Sequence, residues 1–434
     1  MTTQSDINVP PQAALHARSA AARAGASARE PRIAVEIAAP ARLSALMAEV
    51  RDLMARAAEP NVFMEPAFVC AAQTLESVRV VLAWDRHPVP ARLIGLWALA
   101  AGRPAKLPLP IRVLQPAAEG YSFLSTPVID AAHGEDVLAG MLDAIANSRL
   151  PKLLSLPFMH EGGAVMAALR RALDRRAAPL CILERSRRPM LASDLDGKAY
   201  LERALSASSR KKLRQHRRRL GEHGVLARTV HDDPAAVAAA LEDFLTLEAA
   251  GWKGRRGTAL LCDQGAAAFA RAAITALAAE RAAVIDALRL DGRPVSMQII
   301  LRSGSAAFTW KTAFDEGFHD HSPGMLLFED YTQSLLAQPL AFVDSCAIDE
   351  AGFMAAWMER RELVHIWLDA RAGGSAAFRL ASAAARFYGR GRAAAKRLYE
   401  HAKAYRRQRG RSRNPPLARS VRDKESRQTA ADDT

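Results

Sequence analysis

Residues 284–327 constrain the fold of this 434-residue chain more than any other stretch. Three runs there have the composition of strands, namely residues 283–290, 295–302 and 306–314. Asp291-Gly292 separates the first two runs and Ser303-Gly304 the last two, and such dipeptides make tight hairpin turns. The sequence therefore predicts a three-stranded antiparallel meander.

A helix start follows the meander at Ser322-Pro323-Gly324. Ser322 is a typical N-cap, Pro323 suits the first helical position, and Gly324 leaves the backbone uncovered. Free N–H groups at such a terminus bind phosphate. The triplet predicts either an anion site or an ordinary helix start.

Composition limits the class of protein. With 434 residues, 50% of them hydrophobic, the chain has room for two domains with real cores. The four cysteines, Cys70, Cys181, Cys262 and Cys346, are too scattered for a disulfide framework or a zinc site. We expect a cytoplasmic protein, because no apolar run reaches the length of a membrane span and no export signal is evident.

The positive charge is concentrated at the C-terminus. From residue 371 onward, 17 Lys and Arg stand against five Asp and Glu, so +12 of the formal charge of +14 lies there. We expect a basic helix over residues 375–407 and a disordered remainder, in a tail spanning 372–434, and we expect residues 1–30 to be disordered as well. The tail either keeps the protein soluble or touches an acidic surface such as anionic lipid or RNA; no DNA partner is expected.

Helices and strands alternate throughout, which predicts a mixed α+β fold in two halves. Predicted helices cover residues 42–57, 66–73, 134–147, 164–175, 208–223, 234–250, 264–279, 323–336 and 350–359. Predicted strands outside the meander cover 78–84, 92–99, the surroundings of 111, 152–156, 341–345 and 363–368.

The second half resembles a known family. A helix pair, a meander, a helix and a strand follow one another in the order of the GNAT acyltransferase fold. The segments that carry the resemblance are Arg210-Lys211-Lys212-Leu213-Arg214, Gly251-Trp252-Lys253-Gly254, Gly257-Thr258-Ala259, Trp310-Lys311-Thr312-Ala313-Phe314-Asp315 and Ser322-Pro323-Gly324. They look like the BioF-like or CelD-like acetyltransferases, which are linked to cellulose and other polysaccharide synthesis, over residues 198–369. In the first half, residues 61–68 and 123–127 show a fainter similarity to the same family.

The resemblance implies two GNAT-like domains, at 31–190 and 191–371, each a mostly antiparallel sheet flanked by helices. It implies an N- or O-acetyltransferase that uses acetyl-CoA as a co-substrate and holds no permanent cofactor or metal. It also implies kinship with the Fem-type aminoacyltransferases, so aminoacyl-tRNA is the alternative donor and RNA the alternative partner. A non-catalytic scaffold is a third reading. The usual GNAT phosphate loop, Gln/Arg-x-x-Gly-x-Gly/Ala, is replaced by residues 319–324.

Candidate site residues follow from the needs of acyl transfer. Pyrophosphate needs backbone donors, the thioester oxygen needs a donor as its charge develops, and the acceptor needs a base. The expected catalytic groups are Asp315, His321 and Tyr331, with Glu316 and His319 as further bases. The expected donor-binding groups are Lys311, Thr312, Ser322, Gly324 and Met325, and the expected acceptor-binding groups are Trp252, Lys253, Arg255 and Trp310. Each of these groups also has a structural alternative. In these alternatives the histidines are solvent-exposed, Tyr331 lies in the core, Lys311 lies at an exposed strand edge, and residues 252–257 cap a helix. The basic helix at residues 208–223 is either an RNA contact or a solvated linker.

Overall fold

A computed structural model describes residues 32–87, 89–104, 110–347, 352–389 and 391, so the predictions for residues 1–30 and for most of the tail lie outside the described residues. The strands are β1 Ile33–Ala38, β2 Val78–Asp85, β3 Arg92–Gly102, β4 Val113–Pro116, β5 Val128–Ile129, β6 Leu153–His160, β7 Leu180–Leu191, β8 Leu226–His231, β9 Ala283–Leu290, β10 Arg293–Ser303, β11 Ala306–Phe314, β12 Phe342–Asp344 and β13 Glu359–Asp369.

Ten named α-helices lie between the strands. They are α1 Met47–Ala55, α2 Pro66–Ala71, α3 Gly134–Asn147, α4 Ala164–Arg175, α5 Gly197–Ala204, α6 Ala207–Gly221, α7 Pro234–Ala250, α8 Trp252–Arg255, α9 Gln264–Ala279 and α10 Pro323–Leu336. Shorter 3-10 turns occur at Pro40–Ala45, Val62–Met64, Ala72–Thr74, Leu260–Cys262, Glu316–His321 and Phe353–Ala356. Residues 376–389 form a further helix after β13.

All thirteen strands that the structure describes join one sheet in the order β1-β2-β3-β4-β6-β13-β7-β12-β11-β10-β9-β8, with β5 beside β3. The pattern of pairing occurs twice. Strands β1 to β4 are antiparallel and β4 then pairs in parallel with β6. Strands β8 to β11 are likewise antiparallel and β11 pairs in parallel with β12. The predicted α+β fold of two similar halves, with a mostly antiparallel sheet between helices, is confirmed.

Strand β7 joins the two halves. Most of its length pairs with β13, while Met190 and Leu191 pair with β12. Strand β13 follows the second half in the chain but lies between β6 and β7 of the first half. The boundaries of the two domains stay a prediction.

The buried core also crosses between the halves. The ring of Phe63 lies 6.0 Å from that of Phe123 and 5.8 Å from that of Phe308 on β11. Asn61 is fully buried; its side-chain nitrogen donates to the Thr126 carbonyl at 2.7 Å and its oxygen accepts from the Phe63 N–H. The two motifs of the first half that looked familiar in sequence therefore contact each other.

Most predicted elements are confirmed, including the meander and the ranges of α3, α4, α7, α9 and α10. The helix predicted at residues 350–359 is wrong. Residues 353–356 form one 3-10 turn and Glu359 already begins β13, because that strand fills the gap between β6 and β7. The strand pairing there overrides a composition that favours a helix.

Candidate functional site

Strand β11 has an open edge. Along β11, strand β12 pairs only with Ala306, Ala307 and Phe308, so no strand of the described residues lies beside residues 309–314 on that side. The register with β10 shifts by one residue near Ile300, which places a bulge in this part of β11. Strand β12 ends at Asp344, whose carboxylate accepts the Cys346 N–H at 2.8 Å while Cys346 adopts a left-handed conformation with φ of 51°. This turn carries the chain away from β11.

The register fixes which backbone groups face the opening. The Asp315 N–H donates to the Val295 carbonyl of β10 at 2.9 Å. Because main-chain groups alternate along a strand, the N–H and C=O groups of Thr312 and Phe314 point to the other edge. The predicted role of Thr312 as a backbone donor therefore fits its position, although its contact with a ligand stays a prediction.

Lys253 is tied to this edge. Its Nζ donates to the Thr312 carbonyl at 2.7 Å and to Glu248 Oε1 at 2.9 Å. Glu248 lies on α7 and is only 2% exposed, and its other oxygen accepts the Leu260 N–H at 2.9 Å. The ammonium therefore neutralises a buried carboxylate and fixes the loop after α7 against β11.

Lys311 lies one residue before Thr312, and its ammonium is enclosed by aromatic rings. Its Nζ is 5.2 Å from the centroid of the Tyr121 ring, which belongs to the first half, and 5.5 Å from that of Trp310. Burial lowers the pKa of Lys311 to about 8, with Lys253 acting in the same direction and Glu248 opposing both. An amine of that pKa exchanges a proton near neutral pH.

The helix start next to the open edge differs from the prediction in one respect. Pro323 occupies the first helical position as expected, but Ser322 adopts a left-handed conformation with φ of 49° and its hydroxyl makes no capping hydrogen bond. The Met325 and Leu326 N–H groups donate to the Ser322 carbonyl at 2.9 and 3.2 Å. The Gly324 N–H is then the first-turn amide without an intrahelical acceptor. Among the described residues, this helix start therefore has one amide without an acceptor, where several were expected.

Gly324 places this amide beside β11. A Cβ atom built on Gly324 would lie 3.5 Å from the Phe353 ring and 3.6 Å from the Phe314 ring, which are ordinary contact distances. The open edge and the helix start therefore share one wall. Ser322 and Met325 are half-buried beside them.

The loop at α8 forms the opposite wall. The Trp252 N–H donates to Glu316 Oε1 at 2.6 Å, and Arg255 binds the other oxygen of the same carboxylate at 2.5 Å. The hydrogen bond from Arg255, then that from Trp252, lowers the pKa of Glu316. The Trp252 ring is 42% exposed, with the Arg256 guanidinium 5.1 Å above it. Trp252 and Arg255 thus lie near the surface, and their role in binding the acceptor stays a prediction.

Three predicted site residues have structural contacts. Trp310 is 3% exposed and donates from Nε1 to the Tyr121 carbonyl at 2.9 Å. Tyr331 is 1% exposed, its hydroxyl lies 3.5 Å from Met354 Sδ, and burial raises its pKa well above the usual range. Asp315 caps the 3-10 turn through the Gly317 N–H and binds Arg293 at 2.9 Å.

His321 belongs to a small cluster under α6. Its ring lies 5.2 Å from that of His223, and Phe318 contacts both. His216 is on the same helix, and its pKa is lowered by burial first and by Lys212 next. The histidines lie between the basic helix and the turn that leads into Ser322.

The basic helix α6 docks through Arg217 and presents other cations to solvent. Arg217 binds Asp330 at 2.7 Å and Glu329 at 3.4 Å on α10. A shallow groove of about 540 Å³ beside it is lined by Arg214, Arg217, Arg218, Gly221, Glu222 and Leu226. Leu213 and Leu220 are buried, so the helix packs by a thin apolar stripe, and its alternative roles as an RNA contact or a solvated linker stay predictions.

The equivalent helix start of the first half is acidic. Helix α3 carries Glu135 and Asp136 in its first turn, and these pair with Arg171 and Arg175 of α4. A cavity of about 240 Å³ lies there. Two carboxylates at the positive end of a helix disfavour a phosphate ligand.

Sequence reasoning missed Glu248 and Tyr121. Glu248 could have been found as a lone carboxylate within an apolar helix and five residues before Lys253. Nothing local marks Tyr121, because it reaches Lys311 through the packing of the two halves.

The part of the chain that the structure describes contains no group of three His, Cys, Asp or Glu side chains placed to hold a metal ion. None of its helices combines the length and the apolar character needed to cross a bilayer.

Comparisons with known proteins agree with this geometry. Residues 207–352 match the family model described as an acetyltransferase (GNAT) domain. No curated protein matches the chain. The similarity to a GNAT acetyltransferase domain therefore lies within the second half of the chain, while membership of the BioF-like or CelD-like group stays a prediction.

Several solved structures are similar to this chain at low sequence identity. FemX is 11% identical, with 74% of this chain and 95% of FemX covered and a TM-score of 0.52. A protein of unknown function from Bacteroides thetaiotaomicron is 12% identical, with 75% and 96% covered and a TM-score of 0.49. The C-terminal domain of a putative lysylphosphatidylglycerol synthetase from Agrobacterium fabrum is 12% identical, with 75% and 91% covered and a TM-score of 0.48. The likeness to FemX is one of fold.

Proposed function

We propose that the protein is an acyltransferase that moves an acetyl or other acyl group from acyl-CoA to an amine or hydroxyl acceptor. The observation that carries the proposal is the shared wall of the open β11 edge and the α10 start, inside the segment that matches the GNAT domain. A thioester that lies along the edge receives backbone N–H donors for its oxygen, and the free helix-start amide meets a donor phosphate. The acidic start of α3 favours the second half as the donor site.

Lys311 is the proton carrier in this proposal. The acceptor nitrogen or oxygen attacks the thioester carbonyl carbon, and its proton passes to the neutral Lys311 amine. The C–S bond then breaks, and the Lys311 ammonium returns the proton to the departing sulfur. Lys311 takes this role rather than the three predicted catalytic residues. Asp315 caps the 3-10 turn, His321 contacts His223, and Tyr331 lies in the core. Tyr121 and the α8 loop would close the acceptor side.

Aminoacyl-tRNA is the second candidate donor. The groove lined by Arg214, Arg217 and Arg218 favours it, because guanidinium groups bind backbone phosphates. Variant Arg214→Glu/Arg218→Glu tests this reading and leaves the Arg217 contact with Asp330 intact. A role in polysaccharide synthesis, as enzyme or as scaffold, rests on the family resemblance alone.

Calorimetric titration of acetyl-CoA tests the proposal. We expect saturable binding to the wild type and to Gly324→Ala, whose methyl group meets only ordinary contacts. Gly324→Leu should bind at least about tenfold more weakly, since its longer side chain must displace the Phe314 and Phe353 rings at the open edge. Circular dichroism spectra of both Gly324 variants check that each is folded. Absence of acetyl-CoA binding, together with salt-dependent RNA binding that Arg214→Glu/Arg218→Glu removes, would replace the CoA reading by the tRNA reading.

A further inference from the structure

The helix at residues 376–389 packs by one face only. Phe378, Ala381 and Ala385 are 3–6% exposed and contact a small cluster that includes Val113 and Trp367. Asp369 fixes the start of the helix by accepting the N–H and the hydroxyl of Ser375. The helix is therefore anchored to the sheet, and its opposite face is presented outward.

The outward face carries large apolar side chains. Leu380 is 75% exposed and Phe387 is 82% exposed. They are seven residues apart, so on an α-helix they project within about 20° of each other. Tyr388, 39% exposed, lies beside Phe387. Exposed pairs of this size on one helix face mark an interaction surface.

Cations flank this apolar stripe. Arg379 and Arg386 are also seven residues apart and are exposed along one side of Leu380 and Phe387. From residue 371 onward the chain is strongly basic, with 17 Lys and Arg against five Asp and Glu. Apolar side chains next to arginines on one helix face are typical of helices that lie in a membrane interface.

We propose that the face formed by Leu380, Phe387, Arg379 and Arg386 docks the protein onto an anionic phospholipid surface. The apolar pair enters the boundary between headgroups and acyl chains, while the arginines and the basic tail meet lipid phosphates. The inference does not depend on the acyltransferase proposal. It uses a helix that lies outside the residues of the GNAT match.

Charge and polarity favour an anionic bilayer over a second copy of the chain or RNA as the partner of this face. A second copy of the chain would bring its own Arg379, Arg386 and basic tail to the same contact, where they repel. RNA would use the arginines but leave Leu380 in water, and among the described residues only Phe387 and Tyr388 offer rings on this face to stack on bases. An anionic bilayer uses both properties.

Vesicle co-sedimentation with the full chain tests the proposal. The probes are phosphatidylglycerol and phosphatidylcholine vesicles in about a 1:2 ratio, and pure phosphatidylcholine vesicles. We expect binding to the anionic vesicles and at least about tenfold weaker apparent affinity for Leu380→Ser/Phe387→Ser, which keeps the net charge. Leu380→Glu/Phe387→Glu should be weaker still. The control Val225→Glu/Val230→Glu makes the same charge change as Leu380→Glu/Phe387→Glu, at valines elsewhere that are 73% and 52% exposed. This control should retain the vesicle binding that Leu380→Ser/Phe387→Ser loses.

Three other outcomes would contradict docking of this face onto an anionic lipid surface. Equal binding of the serine variant and the wild type would show that the tail binds by charge alone. Loss of a dimer in the serine variant, measured by sedimentation velocity, would assign the stripe to a second copy. Binding of the wild type to an RNA hairpin but not to anionic vesicles would assign the cations to RNA. Both substituted side chains are exposed, so folding should persist, and thermal melting checks this.

Discussion

Lys253 Nζ lies 2.7 Å from the main-chain oxygen of Thr312, so a side chain from the loop after α7 is fixed at the open edge of β11. The same ammonium neutralises the buried carboxylate of Glu248. This contact positions the wall of the candidate site and stabilises it.

Replacing Lys253 by Met should lower the free energy of unfolding by about 1–3 kcal/mol, because Glu248 would remain buried without its cation. Urea denaturation measures the change. Glu248→Gln/Lys253→Met should recover part of the loss, and Lys198→Met, at an exposed lysine, is the control. Additive losses in the double variant would contradict the coupling between the two side chains.

The role of Lys311 predicts a pH dependence of acyl transfer. The rate should rise as pH increases through about 8, since the neutral amine accepts the proton of the acceptor. Lys311→Met should lose at least about a hundredfold in rate with donor affinity little changed. Lys311→Arg distinguishes proton transfer from stabilisation of the oxyanion. Because arginine stays protonated and cannot accept a proton, this variant should be as inactive as Lys311→Met. An active Arg variant whose rate shows no rise near pH 8 would assign Lys311 to stabilising the oxyanion.

The same shift predicts that Lys311 destabilises the fold at neutral pH. Its folded pKa of about 8 lies below the unfolded value of 10.5, so between these values the unfolded chain binds more protons and stability rises with pH. Lys311→Met removes this dependence. It should raise the melting temperature at pH 7, and the gain should shrink toward pH 10.5, as differential scanning calorimetry over that range can measure.

The junction of β7, β12 and β13 depends on one carboxylate. Asp344 is fully buried and binds Arg188 at 3.2 Å and Arg361 at 3.1 Å, which are themselves almost fully buried. Burial tends to raise the pKa of Asp344, but the two guanidinium groups hold it below its ordinary value.

Asp344→Asn should therefore lower the free energy of unfolding by about 3–5 kcal/mol at neutral pH, since the buried Arg188 loses its anion and the buried Arg361 keeps only Glu59. Glu362→Gln, in the exposed pair with Arg187, should cost about 0–1 kcal/mol. Chemical denaturation of both variants compares them directly. Equal effects would contradict the importance of this junction.

Local patterns predicted the meander and the long helices well. Asp291-Gly292 makes the expected turn, with positive φ at both residues, and Pro323 begins α10 as expected. Strand β7 was missed, because LERSRR in its middle reads as polar and only pairing with β13 makes it a strand. Strand β13 was placed too late for the same reason: its first residues gain their partners from the other half of the chain.

The arrangement at the open edge follows from the sequence only in part, and its role as a site stays a prediction. Lys253 contacts the Thr312 carbonyl, and Gly324 lies beside Phe314, two residues further along the same strand. Tyr121 and Glu248 depend on packing between elements far apart in sequence, and Trp310 and Tyr331 look the same in sequence whether they face a cleft or the core. Which side chains of a bulged strand face a cleft depends on how the strand pairs in the fold, and the local sequence pattern does not determine it.

Hydrogen exchange of the full chain with and without acetyl-CoA tests the central claim most directly, in about 0.3 M salt to screen the basic tail. The account predicts slower exchange of the amides of Thr312, Phe314 and Gly324, and no change at the start of α3, residues 134–136. Unchanged exchange along β11 and at the start of α10, or protection confined to α3, would contradict a donor site at the open edge.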